Sequence, residues 1–210
     1  MRTNRIPLFP LNVVLFPGAT LPLHIFEQRY KVMIGHCLRK SHEFGIILVS
    51  DRGAATLGCT AAIMRKIKDY PDGRMDILTQ GRAVFRALQL LQEKEYHEAI
   101  VEYLPEPAAP LHESIDDCEE AGLLGLFQEC HSLIHGQLWV TTGRQPLWPL
   151  SYQLACRLPI ELEEKQALLE IRSEPQRQEF LMQWMNNLLA RVEPRHRVRR
   201  RAAGNGHSVN

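Results

Sequence analysis

The sequence predicts an α+β chain in which a strand-rich half is followed by a helical one. Up to residue 104, short apolar or alternating runs are bounded by Gly, Pro and Asp, the pattern of strands and turns. Beyond residue 110, apolar residues recur at helical spacing. Between the two lies Pro105-Glu106-Pro107-Ala108-Ala109-Pro110, whose prolines remove backbone donors and fix φ, so no strand ladder continues through it. The expected organisation is residues 1–106 as a β subdomain, 107–194 as a helical subdomain, and 195–210 as a basic, disordered tail.

Residues 13–16 are continuously apolar and β-prone, as in a strand buried on both faces. Pro17-Gly18 then suits a turn with Pro second and Gly where φ is positive. Leu21, Leu23 and Ile25 alternate as a second strand or extended segment. The period then changes: Phe26, Tyr30, Met33, Ile34, Cys37 and Leu38 share one helical face, and Phe16, Phe26 and Tyr30 are expected in the core. Residues 46–49 and 61–67 read as strands, and Pro71-Asp72-Gly73 turns the latter back into residues 75–78. Gly81 suggests a bulge or sharp bend before residues 84–90, and residues 98–104 form the last strand. This makes about six or seven strands with one helix between them.

Helices are expected over about residues 114–139, 152–156 and 161–171, and again from Ser173, where Ser-Glu-Pro-Gln matches a capping box. Gly122 and Gly125 fall within the first of these, where close helix packing would account for them.

Composition limits the function classes. Hydrophobic residues make up 45% and charged residues 23%, which suits a folded domain rather than a disordered or membrane chain. A net charge of +1 creates no whole-molecule field directed at nucleic acid or membrane. Five cysteines, widely spaced and without a CxxC pair, suit reduced thiols in a cytoplasm. Arg2 and Arg5 precede an apolar stretch as in a signal peptide, but Pro7, Pro10 and Pro17 break any helical core there. No run approaches the roughly 20 apolar residues of a membrane span. A soluble, cytoplasmic protein without membrane association is expected.

Motifs for chemistry are sparse. No Gly-Lys pair occurs, so a Walker A loop is absent, and so is a Gly-x-Ser-x-Gly nucleophile elbow. His131 and His135 lie four apart beside Cys130, a spacing that can hold one ion, with Asp116, Asp117 and Cys118 upstream. Without a second Cys/His pair at finger spacing they read as polar-face residues, and no metal or cofactor is expected. Arg195, Arg197, Arg199, Arg200 and Arg201 crowd the C-terminus and are the candidate nucleic-acid contacts, although no aromatic residues are interleaved for base stacking.

The stretch "IPLFPLNVVLFPGATLPLHIFEQRY" resembles the start of the N-terminal, substrate-binding domain of the Lon protease family. It has the Pro-Leu-x-Pro-Leu opening (Pro7, Pro10), an apolar run ending in Phe16-Pro17-Gly18, then Pro22-Leu23 and an amphipathic helix. Farther on, Gly58 before a strand, the Pro71-Asp72-Gly73 turn, and Gly81 followed by Arg86 also resemble the family, as does "LPIELEEKQALLEIRSEPQRQEFLMQWM". These residues are read as a fold signature rather than a catalytic set, and together the motifs run from residue 6 to about 192.

The resemblance implies a partly open, PUA-like β-barrel followed by a C-terminal helical bundle. It also implies a module that binds unfolded or partner polypeptide, through a groove between barrel and helices, in connection with protein quality control. Lon proteases continue into an ATPase and a Ser-Lys peptidase domain whose motifs this sequence lacks, so no enzymatic activity is expected of it. RNA binding through the arginine-rich tail is the alternative function, and a small hydrolase or metal enzyme a third.

Overall fold

A computed structural model describes residues 3–51, 53–105, 117–137 and 148–204, and side chains over 4–51, 53–105, 120–137 and 148–191. The order is β1 (Thr3–Leu11), β2 (Thr20–Ile25), α1 (Gln28–Lys40), β3 (Phe44–Ser50), β4 (Gly53–Asp69), β5 (Met75–Leu91) and β6 (Glu98–Tyr103). Four helices follow: α2 (Asp117–His135), α3 (Leu150–Ala155), α4 (Leu162–Glu170) and α5 (Glu174–Gly204). The chain is α+β, as its sequence predicts.

The strands form one six-stranded sheet in the order β2-β5-β4-β3-β1-β6, and a further β5–β6 pairing bends it into a partial ring. This closure depends on the length of β5. Its first part pairs with β2 and the far part of β4, and its last part pairs with β6. Among the described strands only β1 and β3 run parallel, and β2 and α1 make the crossover between them.

Two expectations for the N-terminus need correction. The first strand is not residues 13–16 but the proline-containing segment before them. Residues 3–7 of β1 pair with β6, while residues 8–11 pair with β3. Each half is paired mainly on one side, where a sheet tolerates proline. Val14, Leu15 and Phe16 are buried without a ladder, so the apolar run fills the core as irregular chain. Periodicity alone cannot tell that apart from a buried strand.

Phe26 is the second correction. It is 60% exposed, because α1 begins two residues later, at Gln28, with Glu27 as its extended N-cap residue. Tyr30, Met33, Ile34 and Cys37 do turn inward and pack with Phe9, Leu15, Ile25, Phe44 and Ile77. Ser41 closes α1 in the left-handed region, at φ 53°.

By compactness the chain divides into two units, and the division differs from the consecutive subdomains expected. One unit comprises Met1–Pro107 with Gln145–Ser173, and the other Ala108–Arg144 with Glu174–Asn210. Residues 145–173 join the sheet because α3 and α4 carry its packing partners. The rings of Tyr152 and Phe16 stack at 5.2 Å, Gln166 donates to the Leu57 carbonyl at 3.3 Å, and Arg172 donates to the Leu104 carbonyl at 2.6 Å.

In the second unit α2 buries Leu123, Phe127 and Cys130, and α5 buries Leu181 and Met185. The two helices meet where the Cys130 thiol faces the Met185 carbonyl at 3.7 Å. α5 continues as helix to Gly204, so residues 195–204 are helical where the sequence suggests an irregular tail.

Candidate functional site

The fold-signature residues all lie in the first unit. Pro17 and Gly18 form a tight turn, with φ +80° at Gly18, closed by the Ala19 N–H on the Phe16 carbonyl at 3.1 Å. The turn docks on β5 by two backbone bonds, Gly18 N–H to Gly81 O at 3.0 Å and Gly81 N–H to Ala19 O at 2.9 Å. A side chain at Gly81 would start 2.2 Å from the Phe16 carbonyl oxygen, so that approach requires glycine. Beside it the β4–β5 register shifts, and the freed Ala83 N–H bonds to the Thr60 hydroxyl at 3.1 Å.

Gly58 meets the same kind of constraint, its missing Cβ lying 2.3 Å from the Ile46 carbonyl oxygen. Pro71, Asp72 and Gly73 turn β4 into β5. Gly73 N–H reaches the Tyr70 carbonyl at 3.0 Å, and Asp72 takes the Arg74 N–H at 3.1 Å. That backbone bond, with the Arg74 side chain beside it, holds the Asp72 carboxyl below its ordinary range. Pro7 and Pro10 lie in β1, opposite Glu98 and Ile47.

A surface feature that sequence reading missed sits next to them. β3 pairs with β4 only as far as Ala61, so residues 62–69 of β4 are paired with β5 alone. Along this arm the β4–β5 register skips twice, once between Ile63 and Arg65 and once between Lys66 and Lys68. Met64 and Ile67 are the two residues left without a partner in β5, and each is 49% exposed. Bulges of this kind re-aim side chains.

The arm that carries the two apolar residues is rich in cations. Arg65, Lys66 and Lys68 belong to the arm itself, and the Arg82 guanidinium reaches the Met64 sulfur at 3.6 Å. Arg82 also lies 6.0 Å from the Trp148 ring, which covers Gly18 so closely that a Cβ there would fall 2.4 Å from the indole. Met64, Arg82 and Trp148 thus join the bulged arm to the Phe16-Pro17-Gly18 turn. Among the only local signals in the sequence is the Met-Arg-Lys-Ile-Lys run, which breaks strict alternation.

At the end of the arm His24, Tyr70 and Asp76 form a polar cluster. The His24 Nδ1 lies 2.5 Å from the Asp76 carboxylate, and the Tyr70 hydroxyl donates to it at 2.9 Å. The hydrogen bond with His24 is the main reason the Asp76 carboxyl titrates below its ordinary value. Lys68 and Arg74 lie over the Tyr70 ring, at 4.5 Å and 5.1 Å.

A second polar cluster lies at the start of β6. Glu98 is 5% exposed and receives hydrogen bonds from Arg5 at 2.5 Å and Lys94 at 2.8 Å. Burial opposes its ionisation, but those two cations outweigh it and hold the carboxyl below its ordinary value. The cluster ties β1 to the start of β6 and has a structural role.

The remaining candidates are placed as follows. The His131 and His135 rings are 4.4 Å apart on α2, and His131 faces the Gln137 carbonyl at 3.2 Å. Cys130 is buried, and desolvation pushes its thiol up to about 11. Asp116 and the side chains of Asp117 and Cys118 lie outside the described residues, and among those described no group of three metal-ligating side chains comes together. Gly122 and Gly125 face open space among the described residues, so close packing does not explain them. The side chains of Arg195, Arg197, Arg199, Arg200 and Arg201 lie outside the described residues as well. No described helix is long and apolar enough to cross a membrane.

The scaffold is a sheet bent into a partial ring, with an intercalated helix and the short helices α3 and α4 packed against it. Comparison with known proteins specifies it. The ATP-dependent protease La (LON) substrate-binding domain matches residues 5–187, and the chain belongs to this family.

Among curated relatives, the Lon protease of Escherichia coli (strain K12) is 27% identical over 93% of this chain and 26% of its own length. The Lon protease of Anaeromyxobacter dehalogenans (strain 2CP-C) is also 27% identical, over 86% of this chain and 23% of its own. The chain therefore spans about a quarter of the length of these curated proteases.

Among solved structures, a Lon N-terminal domain protein from Xanthomonas campestris aligns with TM-score 0.66 and 28% identity, covering 87% of this chain and 99% of that one. The N-terminal domain of a Mycobacterium avium complex Lon protease aligns with TM-score 0.64 at 16% identity and shows the shared fold.

Proposed function

We propose that this chain is a non-enzymatic polypeptide-binding module of the cytoplasm that engages unfolded or partner proteins in protein quality control. The observation that carries the reading is the match to the LON substrate-binding domain over residues 5–187. The exposed Met64, Ile67 and Phe26 on the strand-rich unit support it, since unfolded chains offer apolar side chains that native proteins hide.

The test uses the purified full chain and fluorescein-labelled lactalbumin, reduced and carboxymethylated so that it cannot fold, with native lactalbumin as control. Saturable anisotropy change with the unfolded form and none with the native form is the expected result. Equal or absent binding of both forms would overturn the reading. A parallel incubation with ATP and casein, followed by phosphate and peptide release, is expected to show neither product.

A further inference from the structure

We infer that the bulged arm of β4, residues 62–69, is the docking surface, and that it selects extended polypeptide in which apolar residues are flanked by Asp or Glu. The inference rests on the polypeptide-binding reading and names the surface and the substrate class.

Its basis is the coincidence of three features on one short segment. Among the described residues the arm's outer edge has no strand partner, since β3 stops pairing at Ala61. Its two register skips fall at Met64 and Ile67, the two large hydrophobics that β4 leaves exposed. Arg82 reaches the Met64 sulfur, and Arg65, Lys66 and Lys68 alternate in sequence with the two apolar residues along the arm; among the described residues only Lys66 forms an ion pair within it, with Asp69 at 2.9 Å.

Lysines and bulges on an exposed strand also protect it against edge-to-edge pairing. That protection explains why the arm does not take a regular added strand. It does not explain why the bulged residues are Met and Ile, since polar residues would guard the edge better. A guest is therefore held by its side chains, apolar groups against Met64 and Ile67 and carboxylates against the cations.

The same charges disfavour a second copy of the chain as occupant in the central registers of the arm. A symmetric antiparallel pairing centred anywhere from Arg65 to Ile67 sets a cation of one arm directly opposite a cation of the other. Such like-charge pairs are destabilising.

The probe is a labelled ten-residue peptide alternating Leu with Glu at its centre, compared with the same peptide carrying Lys for Glu. It is titrated against the full chain, the M64S/I67S variant, the R65E/K68E variant and an L88S/L90S control. Leu88 and Leu90 are exposed on a different part of the sheet, so the control removes similar apolar surface elsewhere.

M64S/I67S and R65E/K68E are each expected to weaken the Glu peptide at least about tenfold, with L88S/L90S near wild type. The Lys peptide should bind at least about tenfold more weakly than the Glu peptide, and added salt should narrow that gap. Unfolded lactalbumin is run alongside. If it binds wild type and M64S/I67S equally, the arm is not the surface, and the polypeptide-binding reading stands. If it binds neither, both fall. A Lys peptide that binds as well as the Glu peptide overturns the acidic preference.

Discussion

The carbonyl oxygen of Phe16 lies 2.2 Å from the point where a side chain would begin at Gly81. Two residues sixty-five positions apart in sequence are thus held at backbone contact, and the two hydrogen bonds between the turn and β5 depend on it. Gly81→Ala must push the turn away and lose both bonds. The expected cost is about 3 kcal/mol or more, at the upper end for overpacking a core. Urea unfolding checks it, and a midpoint within error of wild type would show that the turn yields without strain.

Gly18 separates two effects that Gly81 combines. Its φ of +80° disfavours any side chain, and the Trp148 indole occupies the space where a Cβ would go. Gly18→Ala should cost about 2–3 kcal/mol, while Gly18→Ala in a Trp148→Ala background should cost only about 1 kcal/mol, the backbone term alone. A double-mutant cycle measures the difference, and additivity would mean that the ring moves aside freely.

The glycines of α2 are expected to behave in the opposite way. Gly122 and Gly125 are exposed, and no described atom lies within 4 Å of a Cβ built at either. Alanine at each should raise stability by about 0.5–1 kcal/mol, by helix propensity alone. Thermal unfolding of the two single variants tests this. A loss of stability would reveal a packing partner.

The features legible in the sequence were those with a local cause. Pro71-Asp72-Gly73 writes its own turn, and the inward face of α1 follows from the spacing of Tyr30, Met33, Ile34 and Cys37. Gly18 and Gly81 were legible as special positions, but not as contacts of each other, because the reason for each lies on a distant segment. Phe26 misled because apolar character at helical spacing says nothing about where the helix starts. The candidate surface was the least legible part. Exposure of Met64 and Ile67 comes from the β4–β5 register, a property of two strands that neither sequence segment carries alone.

Glu98 offers a pH-dependent prediction whose sign can be worked out. Its carboxyl is held below its ordinary value in the folded chain by Arg5 and Lys94, against the opposing effect of burial. Both partners stay protonated across the acid range, their own pKa values being raised by the same contact. A depressed folded value means that the stabilisation is fully present above the unfolded carboxyl's pKa, about 4.3. It is then lost as pH falls through the folded value. Wild type should therefore lose stability more steeply below about pH 5 than Glu98→Gln, which has no proton to take up at this site. Asp72 and Asp76 are also depressed but are common to both proteins, so the difference between the two curves isolates Glu98. Urea midpoints from pH 7 down to the acid limit of folding provide the measurement. Parallel curves would mean that the Arg5–Glu98–Lys94 contact does not persist in solution.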